Sequence, residues 1–296
     1  MMQEMASLGF DYVELSHGIR ITLVPGILKA VERGVIKVAT CHNFCPLPPG
    51  VNHAAPNLYL PSSTDGRERD QWLRQSKRTV DFAAQVGAKK IVLHLGSVEF
   101  FWFNPKGRVE GYYEANLGKD LSADAAYQKL LAKSLAKLRA RMSDYWANTK
   151  RSLRELLPYA EQKGVMLAFE NREAFDELPL DADHPELVAE MARPAACGYW
   201  HDAGHAQIKH DMGLLNHREH LEKNAAHLIG FHLHDVSADG QDHQPIGTGK
   251  IDFDMVSRFW RPEHTLVLEF SPRLTSEQVL ASKQRVEELL AQRFGA

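Results

Sequence analysis

The strongest constraint on the fold of this chain is a phrase it repeats. A short apolar run ends in an acid or a histidine, and a stretch of helical composition follows. Runs of this kind end at or near Glu14, His42, His94, Glu170, Asp202, His232 with His234, and Glu269. They scarcely alternate between apolar and polar residues. Strands buried on both faces read this way, which implies a parallel sheet covered by helices. Helices are expected over 27–33, 67–86, 123–163 with a break at Pro158, 185–191, 218–227, 253–259 and 276–293. Gly34, Gly87 and Gly164 supply stop signals. Seven strands are one short of a (β/α)8 barrel. The chain opens in a helix stopped by Gly9, so the expected absentee is the first strand, pointing to a truncated or misassigned start. The Gly-rich phosphate fingerprint of an open doubly wound sheet does not follow an early strand.

A length of 296 residues suits one barrel domain over 1–296. Three cysteines without a paired framework fit a reducing compartment, and the N-terminus lacks a signal peptide's basic start and apolar centre. The expected location is the cytoplasm. Cys41 and Cys45 flank His42, but no second close Cys/His pair completes a zinc site. A net charge of -3 gives no footprint for nucleic acid. No run reaches the ~18 apolar residues of a membrane span.

One stretch departs from the pattern. Over about 98–122, Phe100, Phe101, Trp102, Phe103, Tyr112 and Tyr113 are interleaved with Gly, Asn and Pro. This is expected to be an insertion: a loop packed on itself, a lid or wall over a cleft with Trp102 against a ligand, or a contact in a homo-oligomer.

The carboxyl ends of barrel strands face one cleft, where barrel enzymes place their chemistry. Glu170 and Glu269 end strongly apolar runs, where a carboxylate is costly unless a cation or a donor meets it. Converging histidines and carboxylates favour a divalent metal, and mixed N/O ligands suit Mn, Co, Zn, Fe or Mg. Asp202-Ala203-Gly204-His205 puts an acid and a histidine at a strand end and the turn after it. His232 and His234 share a strand face, so either can look inward. His201 should face away from Asp202 and be structural.

In this order, Phe169-Glu170-Asn171-Arg172, Asp202-Ala203-Gly204-His205, His232-Leu233-His234-Asp235, Asp242-His243-Gln244-Pro245-Ile246-Gly247-Thr248-Gly249 and the final Glu269 resemble the xylose-isomerase-like TIM-barrel superfamily. That superfamily includes sugar isomerases and epimerases and abasic-site nucleases of the endonuclease IV type. The resemblance implies a divalent metal on Glu170, Asp202, His232 and Glu269, with His234 open as the alternative to His232. It further implies a small carbohydrate or keto-acid substrate and proton transfer by Glu170 and Glu269 through a metal-stabilised enediolate. His205, His94, His42, His234, His243 and Trp102 would contact that substrate. For the nuclease branch, His42, His94, His205 and His243 fall where further metal ligands lie. There an Asp stands two residues before the last histidine, and this chain has Gln241. A dehydratase or lyase acting on a keto-polyol shares the enolate logic.

Overall fold

The structure is a computed structural model and describes residues 1–100, 104–191, 193 and 195–295. Its helices and strands follow the chain as α1 (Met2–Ser7), β1 (Tyr12–Leu15), α2 (Val24–Glu32), β2 (Lys37–His42), α3 (Gly66–Val86), β3 (Lys90–Leu93), α4 (Pro105–Glu114), α5 (Ala125–Arg141), α6 (Ser143–Gln162), β4 (Met166–Glu170), α7 (His184–Met191), β5 (Cys197–Asp202), α8 (Ala203–Asp211), α9 (His217–Asn224), β6 (Leu228–Leu233), α10 (Phe253–Ser257), β7 (Thr265–Leu268) and α11 (Ser276–Phe294). Sheet order equals chain order, β1 to β7. The registers are parallel, as in Ile91 beside Leu167 and His232 beside Val267. The seven strands match the expected runs. By its contacts the chain divides into two compact units.

The first unit comprises residues 1–97, 144–170 and 186–199. Its α3 starts where the Asp65 side chain accepts from the backbone N–H of Arg67, and it stops at Gly87, whose φ of 83° suits a residue without Cβ. Trp72, Val80 and Ala83 from α3 pack with Ile91, Leu93, Leu153 and Leu167 in one buried cluster. Each of the Val, Leu and Ile side chains contributes about 1.5–3 kcal/mol by burial. The helix break expected at Pro158 does not occur. α6 continues through it, because Leu153, Leu156, Leu157 and Ala160 are buried around the missing hydrogen bond and hold the turn by packing. The interruption falls at Met142 instead, between α5 and α6.

The second unit comprises 98–143, 171–185 and 200–296. The aromatic segment is not loop throughout: it contains α4. Gly107 and Gly111 dilute its pattern, yet Asn104 caps it by accepting from the N–H of Lys106, and Pro105 stands in its first turn. Lys106 pairs with Asp176 at 3.2 Å, and Glu110 accepts the N–H of Phe175 at 2.9 Å, fastening α4 to the segment after β4. The helix α8, directly after β5, was also not expected.

His201 of β5 meets α9. Its Nε2 lies 3.0 Å from His217 Nε2, and His217 Nδ1 lies 3.3 Å from Gln207 Oε1. The carbonyl oxygen only accepts, so His217 is protonated on Nδ1 and accepts from His201 on Nε2. The His220 ring is 6.1 Å from that of His201. Burial, and the other histidines after it, pull His217 down to about 3; burial likewise pulls His220 down to about 4. The unfolded chain takes up protons near pH 6.5 and the folded one does not. Stability is therefore full above pH 6.5 and falls towards pH 4, by about 1.4 kcal/mol per pH unit for each histidine. Urea unfolding at pH 7.0, 6.0 and 5.0 should show that loss, with a shallower slope in His220→Gln. A flat wild-type profile would refute it.

Candidate metal centre

In the second unit, Asp202 ends β5 and caps α8. Its Oδ1 accepts the backbone N–H of His205 at 2.7 Å. Ala203, Gly204 and His205 are therefore the first three helical residues, and the spacing of the motif is that of a helix cap. Asn171 fixes the Asp202 backbone from both sides: its Oδ1 accepts the N–H at 2.7 Å, and its Nδ2 donates to the carbonyl at 3.0 Å. Burial by itself pushes the Asp202 carboxyl up. The imidazoles of His205 and His234 reverse this and hold it well below the usual carboxylate range.

His234 has both ring nitrogens engaged. Nε2 is 3.1 Å from each Asp202 oxygen, and Nδ1 accepts the backbone N–H of His243 at 2.9 Å. The proton therefore sits on Nε2. The ring lies over Gly204, where any Cβ would overlap it. His243 adopts a φ of 54°, costly for a residue with Cβ, and stacks on His234 with centroids 4.3 Å apart. Its Nδ1 is 2.9 Å from Asp242 Oδ2, and its Nε2 is 4.0 Å from Glu269 Oε1. Burial alone would lower His243, but Asp242 and Glu269 push it up to about 9.

His232, within β6, is wholly buried, and its ring stands edge-on to Trp200. His232 Nδ1 is 3.0 Å from Glu269 Oε2 and 3.7 Å from Asp202 Oδ2. Ligand atoms around one ion with bonds of about 2.0–2.2 Å sit at such separations. The donor set of one nitrogen and two carboxylates fits a divalent cation. Asp235 plays a different part: it accepts the backbone N–H groups of Val236, Gly247, Gly249 and Ile251, which pins the Gly-rich loop.

In the first unit, Glu170 ends β4 with 1% exposure. Its Oε2 is 3.1 Å from His94 Nε2 and 3.8 Å from His42 Nε2. His94 Nδ1 lies 2.8 Å from Asn57 Oδ1, and His42 Nδ1 lies 3.1 Å from the Asn43 carbonyl. These acceptors put the ring protons on Nδ1 and turn the Nε2 lone pairs towards a carboxylate, an arrangement that needs a cation or an added proton between them. The three form a group able to hold a metal. Glu14 accepts from Thr40 Oγ1 at 2.6 Å. Burial and the neighbouring Cys45 thiol, the thiol foremost, push Cys41 up, and no cysteine joins a metal-capable group among the described residues.

Trp102 lies outside the described residues. His17, whose ring is 4.7 Å from that of His42, and Asn57 carried no sequence signal. Asn171 did, through its place in Phe-Glu-Asn-Arg.

Residues 2–261 match the family model described as xylose isomerase-like TIM barrel. The chain belongs to that family. No curated protein matches it in sequence. Among solved structures, a D-tagatose 3-epimerase-like protein is 19% identical at a TM-score of 0.66, covering 99% of this chain and 92% of that one. The 3-keto-D-glucoside 4-epimerase YcjR from E. coli, in its apo form, is 15% identical at 0.62, covering 97% and 92%. The IolI protein with a binding zinc atom is 16% identical at 0.65, covering 99% and 92%. At these identities the likeness is one of fold. No described helix is long and apolar enough to cross a membrane.

Gly204→Ala should drive the His234 ring off Asp202 and cost about 1–3 kcal/mol of stability in urea. A variant as stable as wild type would mean that the ring contact is not tight.

Proposed function

We propose that the protein is a divalent-metal-dependent isomerase or epimerase of a small carbohydrate or sugar-derived keto-acid, built as a single barrel domain. The observation that carries this reading is the approach of Asp202, His232 and Glu269. Glu170, at the end of β4, is the proposed fourth ligand, since strand ends in this family's barrel serve a common site. His232 is preferred to His234 because both nitrogens of His234 are already engaged. His234 is then a positioning residue that orients Asp202.

When bound, the metal supplies an electrophile for the substrate's carbonyl and hydroxyl oxygens. Glu170 and Glu269 remove and return a proton on the carbon beside that carbonyl. Two faces of one carbon give epimerisation; two carbons give isomerisation. His42, His94 and His243 are left to contact substrate hydroxyls, with the segment around Trp102 as a wall.

A second reading, a multinuclear abasic-site nuclease, is favoured by one observation: His42, His94 and Glu170 form a metal-capable group of their own. Three equivalents of zinc with incision of abasic DNA would support it.

Metal analysis of the purified protein, then incubation with ketoses, keto-acids and inososes in deuterated water, tests the main reading. Solvent deuterium should appear at one carbon beside the carbonyl. Asp202→Asn should lose metal, and Glu170→Gln should lose metal and about 10²-fold or more of the exchange rate. Unchanged metal content in both variants would refute the ligand assignment.

A further inference from the structure

The two strands that carry Asp202 and His232 meet in a pair of one large and one absent side chain. Trp200 stands two residues before Asp202 on β5, and Gly230 two before His232 on β6, the neighbouring strand. Side chains alternate along a strand, so Trp200 shares a face with Asp202, and position 230 shares one with His232. The indole lies against Gly230. A Cβ there would meet its Cζ3, Cε3 and Cη2 at 2.1, 2.6 and 2.7 Å. Glycine weakens a strand interior and marks a place where another group comes close. We propose that Trp200 is a positioning residue of the metal centre: lodged against Gly230, its indole sets the plane of the His232 ring. The proposal rests on the ligand assignment made above.

His232 needs its plane set. Its Nδ1 approaches Glu269 Oε2 at 3.0 Å and Asp202 Oδ2 at 3.7 Å. The lone pair of an imidazole nitrogen lies in the ring plane, so rotation about Cβ–Cγ decides whether Nδ1 is aimed at an ion. For histidine that torsion is broad, and its surroundings fix it. Trp200 is part of those surroundings. The ring centroids are 5.1 Å apart with 72° between the planes, and both side chains are fully buried. In a close-packed interior, a swing about Cβ–Cγ carries the imidazole out of its plane and against the indole.

The indole is itself held by shape. Its Nε1 has no hydrogen-bond partner among the described residues, whereas a buried tryptophan N–H usually finds one. Phenylalanine in its place orphans no acceptor, but it lacks the distal ring that lies against Gly230. The substitution therefore removes the shape and little else. Loss of a group that orients a metal ligand typically costs about 10–100-fold in affinity.

Co binding to the full-length protein, stripped by chelation, is titrated by calorimetry and by the visible absorption of the bound ion. Trp200→Phe should raise the Kd about 10-fold or more. Gly230→Ala, which presses on the same ring from the opposite side, should raise it too. Combining the two gives the new Cβ the space of the lost distal ring, so the double variant should bind Co more tightly than Gly230→Ala alone. Trp72→Phe, in the buried cluster of the first unit, should lower stability in urea and leave the Kd at its wild-type value. That control separates lost positioning from lost stability.

Wild-type affinity in Trp200→Phe overturns the proposal, and so does a double variant no tighter than Gly230→Ala. Equal weakening in Trp72→Phe overturns it as well. Trp200→Phe and its control decide the matter if Gly230→Ala does not fold. Wild-type affinity in His232→Ala would strike the ligand assignment and this proposal with it. Lost affinity in His232→Ala with Trp200→Phe unchanged would strike this proposal alone.

Discussion

The Asp202 carboxylate is the contact on which the second unit's site depends. It has no exposure, yet it carries charge, and each of its neighbours has a position because of it. Oδ1 ends a strand and starts a helix by accepting one N–H. That choice sets where His205 begins its turn and why residue 204 has no side chain. The same carboxylate fixes the tautomer of His234, whose other nitrogen then holds the backbone of His243 in a φ of 54°. Strand end, helix start and Gly-rich loop are thus joined through one side chain. A buried hydrogen-bonded network of this kind is rigid when complete and costly when any member is removed.

The surroundings of Asp202 and Asp235 show why only the first is proposed as a ligand. Both are fully buried carboxylates near strand ends. Asp235 receives four backbone N–H groups, two on each oxygen, so its charge is met by amide dipoles and its lone pairs are used. It is a staple for the Gly247–Gly249 turn. Asp202 receives one backbone N–H and an imidazole shared between its oxygens. Oδ2 also faces His205 Nδ1 at 3.5 Å and His232 Nδ1 at 3.7 Å. Only the second arrangement puts the carboxylate among imidazoles, side chains that can share an ion with it. Equal burial, different donors and different chemistry follow from one environment being made of amides and the other of imidazoles.

The strand ends were legible because a parallel sheet writes each strand as an apolar run, and a charged or imidazole residue closing such a run stands out. The seven strands fall on those runs, and the described site residues lie at or within one residue of their ends, in the adjoining loops or, for His205, in the first turn of the next helix. What was hidden was hidden for stated reasons. α4 was masked because Gly107 and Gly111 erase its periodicity, although Asn104-Pro105 is a start signal. α8 was masked because its first turn is Ala-Gly-His and its cap is also the strand's last residue. Pro158 was misjudged because local propensity counts the lost hydrogen bond and not the four buried residues around it. His17 and Asn57 could not be read at all, since loop residues reach a site by backbone geometry that leaves no pattern.

Glu170 and Glu269, the two proposed proton carriers, have different surroundings. Glu170 is buried at 1% exposure with His94 Nε2 at 3.1 Å and His42 Nε2 at 3.8 Å. Both imidazoles face the same oxygen, Oε2. Glu269 has a side chain 24% exposed, with only Oε2 close to His232, while Oε1 lies 4.0 Å from His243 Nε2. A base needs one oxygen to ligate or orient and one to take the proton, and it needs a route for that proton to leave. Glu269 meets both conditions by its own geometry. His243, carried above its ordinary pKa and stacked in place on His234, stands next to that second oxygen as the group that can pass a proton on. Under the proposed function both carboxylates move protons, and Glu269 is the one of the two with an imidazolium beside its second oxygen.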